Sequence, residues 1–232
     1  MNVEIHRHSA YQIVITSNNP FNSVIDDVEN KNIFGFIIKP HVSHLCTAEN
    51  SILNIINIEP YSSIGFYIES KFSQNTKAIV FNSQSDVASF FQIAGDNVNE
   101  NIIPIIEKLA AQITIQQNDE RVNKIIDYIK ANYYEQNITP QVFADLIFLS
   151  PSRLASLFKL QTGSSLSKYL LWTRLRQAIY LSLSDKQRTL TDIAYDTGFY
   201  DLPQLNKYMY EMFGVPPKGL KQNSDLIQVL EK

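Results

Sequence analysis

Two hydrophobic periodicities run along this chain, and one gives way to the other near residue 85. Up to that point the apolar residues come in short β-branched or aromatic runs: Tyr11 to Thr16 (YQIVIT), Ile33 to Ile38 (IFGFII), Ser51 to Ile58 (SILNIINI), Ser63 to Ile68 (SIGFYI) and Ala78 to Phe81 (AIVF). Polar turn signals separate them, such as Ser17 to Pro20 and Glu59-Pro60-Tyr61, and runs of this kind read as strands. Five or more short strands with no helix between them predict a small barrel or sandwich. Between about 86 and 117 the pattern becomes helical. Ile102, Ile106, Leu109 and Ile113 follow one another at steps of four, three and four, which lines one face of a helix, and Pro104 falls in the tolerant first turn. That stripe can pack on the barrel, or it can form a seam between two copies of the chain, a candidate homodimer face. The polar stretch Gln116 to Asp119 is the candidate linker. It divides the chain into a domain over 1–117 and another over 118–232.

From 120 to 222 every signal is helical. Val122, Ile125, Ile126, Ile129 and Tyr133 form one apolar face. Thr139-Pro140 and Ser150-Pro151 each place a capping residue before a proline at the first helical position. Val142, Phe143, Leu146 and Ile147 are the expected buried side of the helix opened by the first pair, and Gly163 ends the helix opened by the second. A longer helix is expected from about Leu166 to Leu183, roughly 27 Å at 1.5 Å per residue. Thr189-Leu-Thr-Asp192 resembles a capping box with Asp in the last place. Ile193-Ala194 lead into Gly198-Phe199, and a further helix opens at Asp201 and closes at Phe213-Gly214, with Pro216-Pro217 behind it. Helix, tight turn, helix is the pattern of a helix-turn-helix, and it occurs twice in about a hundred residues. The second helix of such a unit enters the major groove, and successive major-groove faces lie about 34 Å apart. Two units joined by a rigid helix can read adjacent turns.

Charge sharpens this picture. The whole chain carries −3, which argues weakly against nucleic acid. Residues 1–118, however, hold 6 Lys/Arg against 11 Asp/Glu, while 138–222 hold 10 against 6. An acidic half joined to a mildly basic one fits a regulator whose attraction for phosphate is modest and easily screened. A single cysteine, Cys46, excludes an internal disulfide framework and fits a reducing compartment. The first residues lack the basic-then-apolar pattern of a signal peptide, and no apolar run reaches the length of a membrane span. The expectation is a cytoplasmic protein without membrane contact. No G-x-S-x-G, phosphate-binding loop or catalytic Cys/His pair is present, so no enzymatic role is assigned.

The run ITPQVFADLIFLSPSRLASLFKLQTGSSLSKYLLWTRLRQA, followed by LTDIAYDTGFYD and FGVPPKGLK, resembles the DNA-binding domain of the AraC/XylS family of transcriptional regulators. Ala144, Ser150-Pro151, Leu154, Phe158-Lys159, Gly163, Arg174-Leu-Arg176, Ile193-Ala194, Gly198-Phe199, Gly214 and Pro217 carry the likeness. The resemblance implies that Ser152, Arg153, Ala155, Ser156 and Lys159 face DNA in the first unit. In the second it implies Leu202, Pro203, Gln204, Asn206, Lys207 and Tyr210. Gln204 and Asn206 suit adenine edges and Arg153 suits guanine; Lys159 and Lys207 suit phosphates. Ala155 and Ser156 are shorter than the family's usual side chains there, and Leu205 and Met209 stand where Phe is usual. Double-stranded DNA is the implied partner, with RNA polymerase a second candidate and a small-molecule effector a third.

All four histidines, His6, His8, His41 and His44, lie in the acidic half. His6-Arg7-His8 with Gln12 four residues on, and His44 later, resembles the metal-binding pattern of cupin barrels, a fold the AraC family often uses for its effector domain. Gln12 replaces the acid of that pattern and is a poor ligand, so neither metal nor cofactor is assigned. His6, His8, Tyr11, Gln12 and His44 are instead the candidate lining of a small-molecule pocket, the bland alternative being histidines that face solvent or pack on Tyr11. The fold expected is therefore α+β in two domains: an N-terminal small cupin-like β-barrel and a C-terminal all-α domain with two helix-turn-helix units. A metal-dependent cupin enzyme, and an interaction module whose helix-turn-helix no longer reads DNA, are the rival functions.

Overall fold

The computed structural model describes residues 4–93, 102–112 and 119–222. They form two compact units, the first from residues 4–93 and 102–112 together with Glu211–Val215 and the second from residues 119–210 and 216–222.

In the first unit the element order is β1 (Tyr11–Thr16), β2 (Phe21–Ile25), β3 (Val28–Ile33), β4 (Gly35–Ile38), β5 (His44–Thr47), β6 (Leu53–Ile58), α1 (Ser63–Glu69), β7 (Ala78–Phe81), α2 (Gln84–Phe90) and α3 (Ile102–Ala110). The strands make two antiparallel sheets, β6-β1-β4-β7 and β3-β2-β5. No ladder joins the two among the described residues. The expected barrel is thus a pair of sheets. All six residues of β1 are buried because its alternating side chains feed two separate cores. Tyr11, Ile13 and Ile15 join Ile37, Ile68, Val87 and Phe91 on the helical side, while Val14 joins Phe21, Ile25, Ile33 and Phe36 on the side of the smaller sheet. The smaller sheet begins with a hairpin that the hydrophobic pattern does not reveal. Asp26 and Asp27 both have left-handed backbones (φ 49° and 65°), as a two-residue hairpin turn between twisted strands requires.

Two expectations are corrected here. Ser63 to Ile68 is a helix, α1, although its β-branched and aromatic content reads as strand. Ser62 caps it by accepting from Gly65 N–H (3.0 Å), and Tyr67 and Ile68 are buried. The stripe of α3 is used internally: Ile102, Ile106 and Leu109 pack into the same core as Ile68 and Phe91. A face already covered by its own unit is not a seam for a second copy. Ile113 and the linker residues Gln116 to Asn118 lie outside the described residues.

The second unit contains α4 (Glu120–Asn132), α5 (Pro140–Leu146), α6 (Pro151–Thr162), α7 (Leu166–Ser184), α8 (Leu190–Asp196), α9 (Leu202–Phe213) as far as Tyr210, and α10 (Pro217–Gln222). Val122, Ile125, Ile126 and Ile129 are the buried face of α4. In α5 the buried residues are Phe143 and Ala144, with Ile147 just after; Val142 and Leu146 are exposed, so half of the expected face is corrected. Phe143 meets Tyr128 of α4 edge-on at 5.6 Å. Thr139 precedes α5 as its N-cap without a side-chain cap bond, whereas Ser150, Ser165 and Thr189 each accept from the N–H three residues on. At 19 residues α7 is about 28 Å long. It buries Trp172, Leu175, Ala178 and Ile179 and returns the hydroxyls of Thr173 and Ser182 to carbonyls one turn back, which makes it the axis of the unit.

Candidate nucleic-acid interface

The two helix-turn-helix units share one backbone device. After α5, Leu149 N–H donates to Ala144 O (3.0 Å) and Phe148 N–H to Asp145 O (3.4 Å). After α8, Phe199 N–H donates to Ala194 O (2.9 Å) and Gly198 N–H to Tyr195 O (3.0 Å). This paired six-to-one and five-to-two bonding is the Schellman ending, and it needs one left-handed residue. Phe148 (φ 55°) and Gly198 (φ 83°) are those residues. The reversal aims α6 and α9 away from the helices before them.

Phe148 is 93% exposed, so its ring contributes little packing while its backbone bears a conformation costing an L-residue roughly 1–2 kcal/mol. Glycine relieves that cost but gives up about 0.5–1 kcal/mol in chain entropy. Phe148→Gly is therefore expected to be neutral or to stabilise by less than about 1 kcal/mol, read as a higher urea midpoint at constant slope. A clear loss of stability would show that the ring is packed.

α6 turns Leu154 and Phe158 inward and leaves Ser152, Arg153, Ala155, Ser156 and Lys159 exposed. α9 buries Leu205 and Met209, so the aliphatic side chains in place of Phe fill the core. Its outer face presents Pro203, Gln204, Lys207 and Tyr210, with Leu202 and Asn206 half-buried. Each sequence-derived position thus lies on the outward side of one of these helices. Two details were not legible. Asp201 accepts from Gln204 N–H (2.7 Å), as an N-cap does, and the Gln204 side-chain oxygen accepts from Tyr200 N–H (2.9 Å). The carbonyl that a two-bond adenine contact would use is engaged at the start of its own helix. Lys207 places its ammonium 5.6 Å from the centroid of the Tyr208 ring.

Arg174 is a positioning residue that the sequence shows only as part of a motif. From α7 its Nε donates to Tyr133 O (2.7 Å) and its Nη2 to Glu135 O (2.6 Å), satisfying carbonyls at the end of α4 that have no partner within that helix. Gly198 lies against the same group. A Cβ there would stand 2.7 Å from Tyr133 O and 2.8 Å from Arg174 Nε.

In the first unit the structure gathers three of the five candidate ligand residues. His6 and His44 form an antiparallel bridge, His6 N–H to His44 O (3.1 Å) and His44 N–H to His6 O (3.0 Å). Their rings lie 4.1 Å apart, and the His8 ring is 5.1 Å from that of His44. All three are buried. Burial, and after it the nearby imidazoles, pushes the pKa of His44 down to about 3 and that of His8 well below the usual range; burial also lowers that of His6. The other two candidates have partners of their own: the Tyr11 hydroxyl donates to Glu69 and the Gln12 amide to Asn57. Cys46 is partly buried beside the inter-sheet core, and desolvation pushes its thiol up to about 12.

Residues 143–223 match the family model of a helix-turn-helix domain. The chain is 29% identical over 111 residues to the HTH-type transcriptional activator RhaS of Enterobacter sp. (strain 638), covering 48% of this chain and 39% of that one. It is 26% identical over 124 residues to RhaS of Shigella boydii serotype 18, covering 53% and 44%. The match thus spans less than half the length of these curated relatives. Among solved structures, ToxT of Vibrio cholerae bound to (E)-4-(8-methylnaphthalen-1-yl)but-3-enoic acid superposes with a TM-score of 0.60 at 13% identity over 96% of both chains. Unsaturated fatty acid bound wild-type ToxT gives 0.58 at 12% identity over 95% of this chain and 89% of that one. The likeness is one of fold across both units. Among the described residues no helix is long and apolar enough to cross a membrane.

Proposed function

We propose that this chain, whose C-terminal half is a helix-turn-helix domain of the AraC/XylS type, is a cytoplasmic transcriptional regulator that reads two adjacent major grooves with α6 and α9. The observation that carries the reading is the repeated reversal at Phe148 and Gly198, each followed by a helix with a buried apolar side and an exposed polar one. Arg153 is the guanine reader, Asn206 and Gln204 contact bases, and Lys159 and Lys207 meet phosphates. Ser152, Ala155, Ser156, Leu202, Pro203 and Tyr210 complete the contact surface. The first unit is the control domain. The ligands named for its fold neighbour, an unsaturated fatty acid and an aryl-butenoic acid, support a small organic effector there. Effector binding changes DNA affinity only by favouring one arrangement of the protein over another. The relatives' role as activators supports RNA polymerase as a partner.

The test is fluorescence anisotropy with DNA from upstream of the chain's own gene, across a salt series. Each neutralised phosphate contributes about 0.9 to the slope of log K against log salt. Expected is tight binding that weakens steeply with salt and survives excess non-specific competitor. Binding that is absent, or that competitor removes completely, rejects the reading.

A further inference from the structure

We propose that His6, His8 and His44 form a site for one divalent transition-metal ion, held by the three Nε2 atoms. The three residues offer ligand atoms that all lie within 4.8 Å of one another. What makes them a built site is the other nitrogen of each ring. His6 Nδ1 bonds to Glu4 O (2.8 Å), His8 Nδ1 to Ala10 O (3.1 Å) and His44 Nδ1 to Val42 O (3.0 Å). A carbonyl can only accept, so each Nδ1 carries the proton and each Nε2 presents a lone pair. Imidazoles that ligate metals are oriented in this way, the non-ligating N–H donating to a backbone carbonyl or carboxylate.

The backbone fixes the set independently of the side chains. The two main-chain bonds of the bridge hold His6 to His44, and His41 N–H donates to His8 O (2.7 Å). His44 Nε2 is buried with no hydrogen-bond partner among the described residues, a costly state for a polar atom that a bound cation relieves. Tetrahedral ligands about 2.05 Å from zinc lie about 3.4 Å apart, so a pair at the 4.8 Å limit would close by about 1.4 Å on binding. An all-imidazole donor set selects ions such as zinc, nickel, cobalt or copper and rejects magnesium and calcium, which take oxygen. With Gln12 bonded to Asn57, the fourth position is left to water. The inference rests on the histidine set alone and not on the proposed DNA contacts.

The experiment uses the untagged full-length chain, stripped with chelator and returned to metal-free buffer. Zinc chloride is titrated calorimetrically and cobalt chloride by visible absorption. Expected are one ion per chain, the ligand-field bands of four-coordinate cobalt, and a melting temperature that rises with free zinc. His44→Ala and His6→Gln should each weaken zinc binding by about a hundredfold or more, whereas Lys31→Ala, at an exposed position of β3, should leave it unchanged. Should His44→Ala fail to fold by circular dichroism, His6→Gln decides. Zinc binding that is absent in the wild type, that persists in His6→Gln, or that is lost in Lys31→Ala overturns the site.

Discussion

Gly198→Val is expected to destabilise the second unit by about 3–5 kcal/mol, among the largest losses a single substitution causes. Two independent costs add. A β-branched residue at φ 83° is in the region L-residues avoid, at roughly 1–2 kcal/mol. The new side chain also meets Tyr133 O at 2.7 Å and Tyr134 O at 3.0 Å, backbone atoms that cannot swing aside as a side chain would. Displacing them pulls the end of α4 from Arg174, whose Nε reaches Tyr133 O and whose Nη2 reaches Glu135 O, and losing hydrogen bonds from a charged group costs about a further 1.5–3 kcal/mol. Urea unfolding of the full chain, followed by Trp172 fluorescence in α7, measures it. The midpoint should fall sharply, with the transition of the first unit unmoved. An unchanged midpoint would show that the turn is not built on this contact.

The second large effect concerns affinity. Lys159→Ala together with Lys207→Ala is expected to weaken binding on every DNA sequence alike and to lower the salt slope by about 2, since each phosphate contact contributes nearly one unit. Arg153→Ala should behave differently, losing about 1–3 kcal/mol and relaxing the preference at one base position. Lys207 already rests over Tyr208, so its replacement also uncovers an aromatic face. Circular dichroism of each variant separates lost contact from lost fold. Equal binding by the double variant and the wild type across the salt series would remove α6 and α9 as the phosphate-facing helices.

How much of this was legible in the sequence depended on whether a residue's signal was local. β1 reads directly because both its faces are buried, so Ile13, Val14 and Ile15 run together without a polar residue between them. The hairpin of β2 and β3 is hidden. Val28 to Ile33 is mostly exposed, and its turn uses two aspartates where glycine or asparagine would announce a left-handed pair. Ser63 to Ile68 carries the composition of a strand, and what decides for a helix is the Ser62 cap together with the core beneath it. The spacing of Ile102, Ile106 and Leu109 defines a face but not what covers it, and the covering residues lie as far off as Ile68. The second helix-turn-helix announces itself through Gly198. In the first, the same left-handed position is held by Phe148, so only its caps and closing glycine are visible. The histidines could be nominated from the sequence, but their convergence rests on a bridge between residues 6 and 44 that no local pattern encodes.

The bond from Tyr200 N–H to the Gln204 side chain has a consequence for how bases are discriminated. A glutamine that must first order its rotamer loses freedom when it binds; this one surrenders that freedom when the chain folds, so less is lost at the DNA. Its oxygen is occupied, and it offers only its amide hydrogens. A lone donor fits N7 of adenine, N7 or O6 of guanine and O4 of thymine alike. At that step the protein would turn away cytosine without telling the other three bases apart, and a tolerant operator position there would reflect the capping of a helix rather than a loose fit.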